Sequence, residues 1–312
     1  MGRRKRIALL GDIGETKMAG LPFYIVDVFA ERKYAGNQLG VFPDAGSLSD
    51  AQMQQFAKEM NYSETTFILS AERPNGGYDV RIFTPDREVP FAGHPTLGTA
   101  YIIQQEIIGR PVDKVVLNLT AGQIPVTLGY GQDGSDQLWM RQKEPAFGAQ
   151  IDAGTLSEVL KLQEADVDDR YSIEEVSTGL PFLIVPLKSL DSLKRIRVDT
   201  DKSLKLVESL SAKAILAFCP QTHEQQNDIC ARVFAHHYGV PEDPATGSAN
   251  GCLAAYLVKN RYFGQSHIDL RVEQGYEIGR PSLLFLKAEE HGGNIDVFVG
   301  GRVIKTAKGV FV

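Results

Sequence analysis

The spacing of apolar positions changes several times along the chain, and each change marks an element. Phe23 to Phe29 (FYIVDVF), Thr65 to Leu69 (TTFIL), Val115 to Leu119, Phe182 to Leu187 and Ser282 to Leu286 are short runs rich in β-branched and aromatic residues. Such runs predict strands. Apolar residues recur at helical spacing near Ser49 to Met60 and Ser203 to Ala212, which predicts two amphipathic surface helices. Two other segments behave differently. TLGTAYII from Thr96 and ANGCLAAYLV from Ala249 carry small or apolar residues nearly all round. A helix without a polar face is buried on every side. Gly98 and Gly251 each cost such a helix about 1 kcal/mol relative to alanine. That cost makes sense where another element packs hard against the helix backbone.

The pattern occurs twice. Arg81-Ile82-Phe83 precedes the run from Gly93 to Tyr101, and Arg232-Val233-Phe234 precedes the run from Gly247 to Tyr256. Gly93 and Gly247 lie 154 positions apart; Gly122 and Gly275, each following the next strand, lie 153 apart. Strand, turn, helix, strand and glycine agree in order, which points to internal duplication. The expected fold is α+β, with two pseudo-symmetric lobes that each wrap a sheet around one central buried helix. The expected limits are residues 20–131 for the first lobe, completed by the last strand at about 302–312, and 132–301 for the second.

Composition narrows the functional classes. With 312 residues the chain has room for about two domains. A formal charge of -6 argues against nucleic acid and against an anionic membrane as partner. No apolar stretch approaches the roughly 20 residues of a spanning helix. The cysteines at 219, 230 and 252 are read as too few and too scattered for a disulfide framework or a zinc site, which suits a cytoplasmic setting. Residues 1–19 are read as an extension outside the fold, upstream of a natural start at Met18. Their basic GRRKR word leaves a nuclear-localisation reading open, and the apolar run Ile7 to Leu10 is too short for a signal peptide.

Candidate chemistry gathers at the two helix starts. Pro95 suits a first helical position, with His94 as N-cap, and Thr246 or Ser248 is placed to cap the second helix. Free N–H groups of a first turn attract a carboxylate or phosphate, and duplication brings both starts towards one axis. A small anion is the natural ligand. Asp243 precedes Pro244, which keeps it out of helical geometry; an exposed turn aspartate is the plainer reading of it alone. Glu64 completes an N-x-x-E box, but a strand follows, so it stands at a strand mouth. Ser248, His94 and Asp243 invite comparison with a hydrolase triad, yet Ser248 lacks the G-x-S-x-G elbow. His236-His237 has no ligand partners at metal spacing, and His223, His267 and His291 read as surface residues. Trp139 and Cys252 read as packing. Arg280 either reaches an anionic substrate or is solvated.

Six words, FAERKYAGNQLGVF, NYSETTFIL, RIFTP, PFAGHPTLGTA, GVPEDPATGSA and EQG with GRPS, stand in one order from about residue 22 to the end. In these the chain resembles the PhzF family, the phenazine-biosynthesis-like isomerases, which share the diaminopimelate epimerase fold. The resemblance implies two barrel-like lobes and a cofactor-free, metal-free proton-transfer isomerase acting on a small molecule in the cleft between them. It implies Glu64 as acid/base, with His94 and Asp243 assisting. It places Gly93, Gly247, Ser248 and Asn37 against a substrate that is expected to be a carboxylate, and it makes a homodimer the expected assembly. Gly93 and Gly247 stand where the related epimerases carry catalytic cysteines, so a two-cysteine racemase mechanism is not expected. The family's early loop often reads GNP, whereas this chain has Gly36-Asn37-Gln38.

Overall fold

The computed structural model describes residues 20–131 and 136–312. The expected N-terminal extension lies outside the described residues. Strand Leu21–Val28 lies antiparallel between Val303–Phe311 and Asn37–Phe42. Pairing then passes in parallel to Glu64–Ile68, antiparallel to Tyr78–Phe83 and in parallel to Lys114–Leu119. Two antiparallel steps follow, to Gly122–Gly129 and to Gln137–Arg141.

The second half repeats that order of steps. Ile173–Ser177 lies antiparallel between Ala146–Ile151 and Pro181–Pro186. A parallel step to Ile215–Cys219, an antiparallel one to Ile229–Ala235 and a parallel one to His267–Gln274 come next. Antiparallel steps to Ser282–His291 and Asn294–Gly301 finish the series. Gln137–Arg141 also pairs with Asn294–Gly301, so the two series form one continuous ribbon. Each half's series begins with a strand that follows the other half in sequence. Val303–Phe311 leaves the second half to flank Leu21–Val28, and Ala146–Ile151 leaves the first to flank Ile173–Ser177. From these pairings we infer halves of 20–141 with 303–311, and 146–301. Gln137–Arg141 pairs with a strand of each half, Gly122–Gly129 on one side and Asn294–Gly301 on the other.

The two apolar segments form helices Gly93–Ile102, extended by a π-helical turn Ile103–Ile108, and Gly247–Lys259. In the first helix only Tyr101 keeps part of its surface; in the second only Ser248 and Lys259 do. The helix glycines are explained by close approach. A methyl group at Gly98 would stand 2.6 Å from Leu39 and 2.9 Å from Val28, both anchored in strands. At Gly251 it would meet the Gln142 side chain at 3.0 Å.

Outer helices cover the ribbon. Asp50–Met60 starts at Ser49 with a reciprocal Ser49–Gln52 capping box, and packs over Phe42, itself stacked on Phe67 at 4.9 Å. The second surface helix runs Thr200–Glu208, three residues earlier than its apolar spacing predicts. Asp199 supplies the cap by accepting from the Lys202 N–H, and Ser203 is carried inside. Lys143 to Gln150 reads locally as a loop, but its latter part joins strand Ala146–Ile151. The pairing partner there is Ile173–Ser177, more than twenty residues downstream.

Candidate active site

Neither central helix carries a side-chain cap. The first begins at Gly93 with Ala92 as N-cap, so His94 is its second residue and Pro95 its third. The expected His94 cap is therefore corrected. The imidazole is held by a backbone hydrogen bond at Gln38. Thr246 occupies the N-cap position of the second helix, but its hydroxyl donates to Asp243 instead of capping. Ser248 is the second helical residue and half-buried. It does not cap, and no hydrogen bond joins it to His94 among the described residues, which leaves a hydrolase triad without its first link.

The two helix starts abut. A methyl group at Gly93 would lie 3.4 Å from the Ser248 nitrogen and 3.5 Å from the Gly247 Cα. At Gly247 the nearest atom would be the tip of the Phe29 ring, 3.2 Å away. Phe29 sits at φ 60°, a left-handed conformation rare for a bulky residue. Its N–H donates to the Arg302 carbonyl at 2.8 Å, and its own carbonyl accepts from Leu283 at 2.9 Å. Such strain, held from both sides, collects at functional sites.

Glu64 is the first residue of its strand, in register with Leu39. Its Oε2 stands 3.5 Å from His94 Nε2. Both atoms are buried, and neither has a hydrogen-bond partner. Burial first, and then the charge of Asp243, pushes Glu64 up to about 8. Burial holds His94 down to about 3, against the opposing bond at Gln38. Burial also pushes Asp243 up to about 6, although hydrogen bonds from Thr246 and Asn37 oppose it. Of the two acids Glu64 therefore holds its proton the more tightly, beside a neutral His94, and Asp243 is the one its hydrogen bonds favour as the anion.

Asp243 is fixed by residues from three other segments. Asn37 donates to its Oδ1 at 3.1 Å and to the Ala245 carbonyl at 2.9 Å. Gln274, wholly buried, donates to the Asp243 carbonyl at 2.8 Å and to the Thr246 hydroxyl at 3.1 Å. Its own amide oxygen accepts from the Thr246 N–H and from Asn250. Thr246 and Gln274 were not among the expected site residues, although both lie inside family words. Arg280 is partly buried. It pairs with Asp27 at 2.8 Å and donates to the Ala35 and Gly36 carbonyls, bracing the loop that presents Asn37.

No thiol stands at either helix start. Cys252 is buried a turn deeper, its sulfur 3.6 Å from the Thr178 hydroxyl, and burial pushes its thiol up to about 11. A surface hollow of about 370 Å³ lies elsewhere, lined by Trp139, Lys287 and Phe298 among others, and includes none of these groups.

Residues 26–309 match the family described as phenazine biosynthesis-like protein, and the chain belongs to that family. It is 36% identical over 297 residues to a trans-2,3-dihydro-3-hydroxyanthranilate isomerase of Pseudomonas fluorescens, covering 93% of this chain and 99% of that protein. An uncharacterised isomerase of Clostridium acetobutylicum is 30% identical over 93% of this chain and 97% of its own. Among solved structures, the Bacillus anthracis phenazine biosynthesis protein of the PhzF family superposes with a TM-score of 0.87 at 26% identity, covering 95% of this chain and 100% of that one. The fold alone extends further, to a probable proline racemase of Agrobacterium radiobacter with a TM-score of 0.56 and 11% identity, covering 93% of this chain and 92% of that one. The chain is an isomerase of this family with an epimerase-like α+β fold. No helix among the described residues is long and apolar enough to cross a membrane.

Proposed function

We propose that the protein moves a proton between two carbons of a small, carboxylate-bearing metabolite, with Glu64 as the acid/base. The observation that carries this reading is the unpartnered Glu64 carboxyl, raised to about 8 and 3.5 Å from a neutral imidazole, in a site where two helix starts abut. The uncapped first turns of both helices, with Gly93, Gly247 and Ser248, bind the substrate carboxylate. Asn37 positions Asp243 beside it.

Glu64 rests protonated, so it acts first as an acid, the reverse of the order usually assumed for a base. It donates its proton to one carbon of an electron-rich double bond. The carboxylate so formed removes a proton from a second carbon on the same face, which restores the acid. Ionised Asp243 stabilises the positive charge that develops between the two steps. His94, neutral across the working range, orients the substrate. A ring bearing an amino or hydroxyl group beside its carboxylate suits this chemistry, and the name of the Pseudomonas fluorescens relative supports that class. The reaction needs no cofactor in this scheme. A homodimer in the cytoplasm belongs to the same proposal.

Incubating protein and candidate carboxylates in heavy water tests it. Wild type incorporates deuterium into the product, and Glu64→Gln folds normally but incorporates none. Undiminished uptake in Glu64→Gln rules out the assignment.

A further inference from the structure

On the outer face of the second half lies a cluster that the isomerase reading does not use. Strands Ile215–Cys219 and Ile229–Ala235 place Cys219 directly opposite Cys230. The loop between these strands carries His223, which reads from sequence as a surface residue. Its ring instead stacks on Tyr276, with centroids 4.2 Å apart and planes 13° from parallel. One ligand atom each from His223, Cys230 and Glu273 lies within 4.8 Å of the other two. Glu277 joins them, with Oε1 3.2 Å from His223 Nε2.

Charge balance singles out this cluster. Glu273 is wholly buried, and the Glu277 side chain is only 13% exposed. Among the described residues neither carboxylate pairs with a lysine or arginine; the one ionisable partner of Glu277 is His223. The second oxygen of Glu277 is buried with no hydrogen-bond partner at all. Two neighbouring carboxylates out of water without a cation are costly. Both also act on the Cys230 thiol, which burial already pushes far up.

We propose that His223, Cys230, Glu273 and Glu277 bind a divalent transition-metal ion of the zinc class. Thiolate, imidazole and carboxylate form a borderline-soft donor set, which suits zinc or cobalt rather than calcium or magnesium. Tetrahedral zinc sets its ligand atoms roughly 3.5 Å apart, so donors that lie within 4.8 Å of one another close by no more than about 1.3 Å. The outer shell is already built. Glu273 accepts from the His223 N–H at 2.7 Å, the Glu224 N–H at 2.8 Å and Asn227 Nδ2 at 2.7 Å. Bonds of this kind hold a ligating carboxylate in one orientation. On binding, Cys230 gives its proton to solvent and the sulfur lone pair to the metal, so affinity rises with pH. The ligands come from a loop, two strands and a turn, so the ion ties four segments together. Glu273 and Gln274 point to opposite faces of one strand, which separates this site from Asp243 while sharing its support.

The test uses the full chain, stripped with chelator and titrated with Co²⁺ alone. A near-ultraviolet sulfur-to-cobalt charge-transfer band grows to one equivalent. It is absent in Cys230→Ser and retained in Cys219→Ser, whose sulfur donates to the Gln221 carbonyl at 3.2 Å. His223→Gln changes a loop residue and keeps the fold measurable if a buried serine does not; it weakens Co²⁺ binding at least roughly tenfold. Zn²⁺ raises the melting temperature of wild type but not of His223→Gln. No stoichiometric band in wild type, a band that survives Cys230→Ser, or unchanged affinity in His223→Gln overturns the site.

Discussion

The two helix starts share a backbone design and differ in how their acids are held. In the first half, Glu64 and His94 meet edge to edge, and each leaves a buried atom unpaired. In the second, Asp243 is bound by Asn37 and Thr246, and its own carbonyl by Gln274. One acid is left loose and proton-bearing; the other is pinned and ionised. In the proposed scheme this contrast sets a transferable proton beside a fixed charge. A catalytic carboxyl needs a pKa near the working range, and only the underbound one reaches about 8.

The sharpest way to break this contrast is to remove each half's polar group. Glu64→Gln lowers turnover by about 10²–10⁴-fold, whereas Ser248→Ala changes it only a few-fold. Equal losses in steady-state assays would make the halves equivalent. The next effect is read in the pH profile. Wild-type kcat/KM follows a bell with limbs near 6 and 8, belonging to the Asp243 and Glu64 pair. Asp243→Asn removes the charge that helps raise Glu64, so the alkaline limb moves to lower pH and the acid limb disappears.

Stability sharpens the same contrast. Folding raises Glu64 above its ordinary value, so wild type loses stability as pH climbs from 4.5 to about 8. Glu64→Gln escapes that loss, and urea melts at pH 5 and pH 8 should separate the two proteins by on the order of 2–4 kcal/mol more at the higher pH. His94 works in the opposite window, because its folded pKa is depressed: stability falls as pH drops from 6.5 towards 3. The smallest effect compares the helix glycines. Gly98→Ala drives a methyl into Leu39 and Val28 and destabilises by about 1–3 kcal/mol. Gly251→Ala meets the flexible Gln142 side chain at 3.0 Å and the Thr178 hydroxyl at 3.1 Å, looser contacts than those at Gly98, and costs less. Paired thermal melts check the order.

Much of this arrangement was legible along the chain. The repeat, the all-apolar helices and their glycines are local patterns, and they placed Gly93 and Gly247 correctly. Glu64, His94 and Asp243 were named because they lie beside those turns and inside family words. Gln274 was missed because its role exists only after distant strands pair, and Thr246 was named only as a cap, whereas its hydroxyl turns back to Asp243 three residues earlier. His223, read as a surface residue, stacks on Tyr276 for a related reason: polar neighbours in sequence say nothing about what covers a side chain in space. The cap at His94 failed because a buried helix start can leave its N–H groups for a ligand. A loop was expected where Ala146–Ile151 pairs, since its partner strand lies well downstream.

The exchanged terminal strands carry a consequence for how the molecule is made. Leu21–Val28 is synthesised well before Val303–Phe311, yet one of its edges stays bare until that strand emerges. An unpaired edge invites association with other chains. The first half thus waits until the whole second half has been made for its closing piece, and removing Val303–Phe311 would injure strands made long before it.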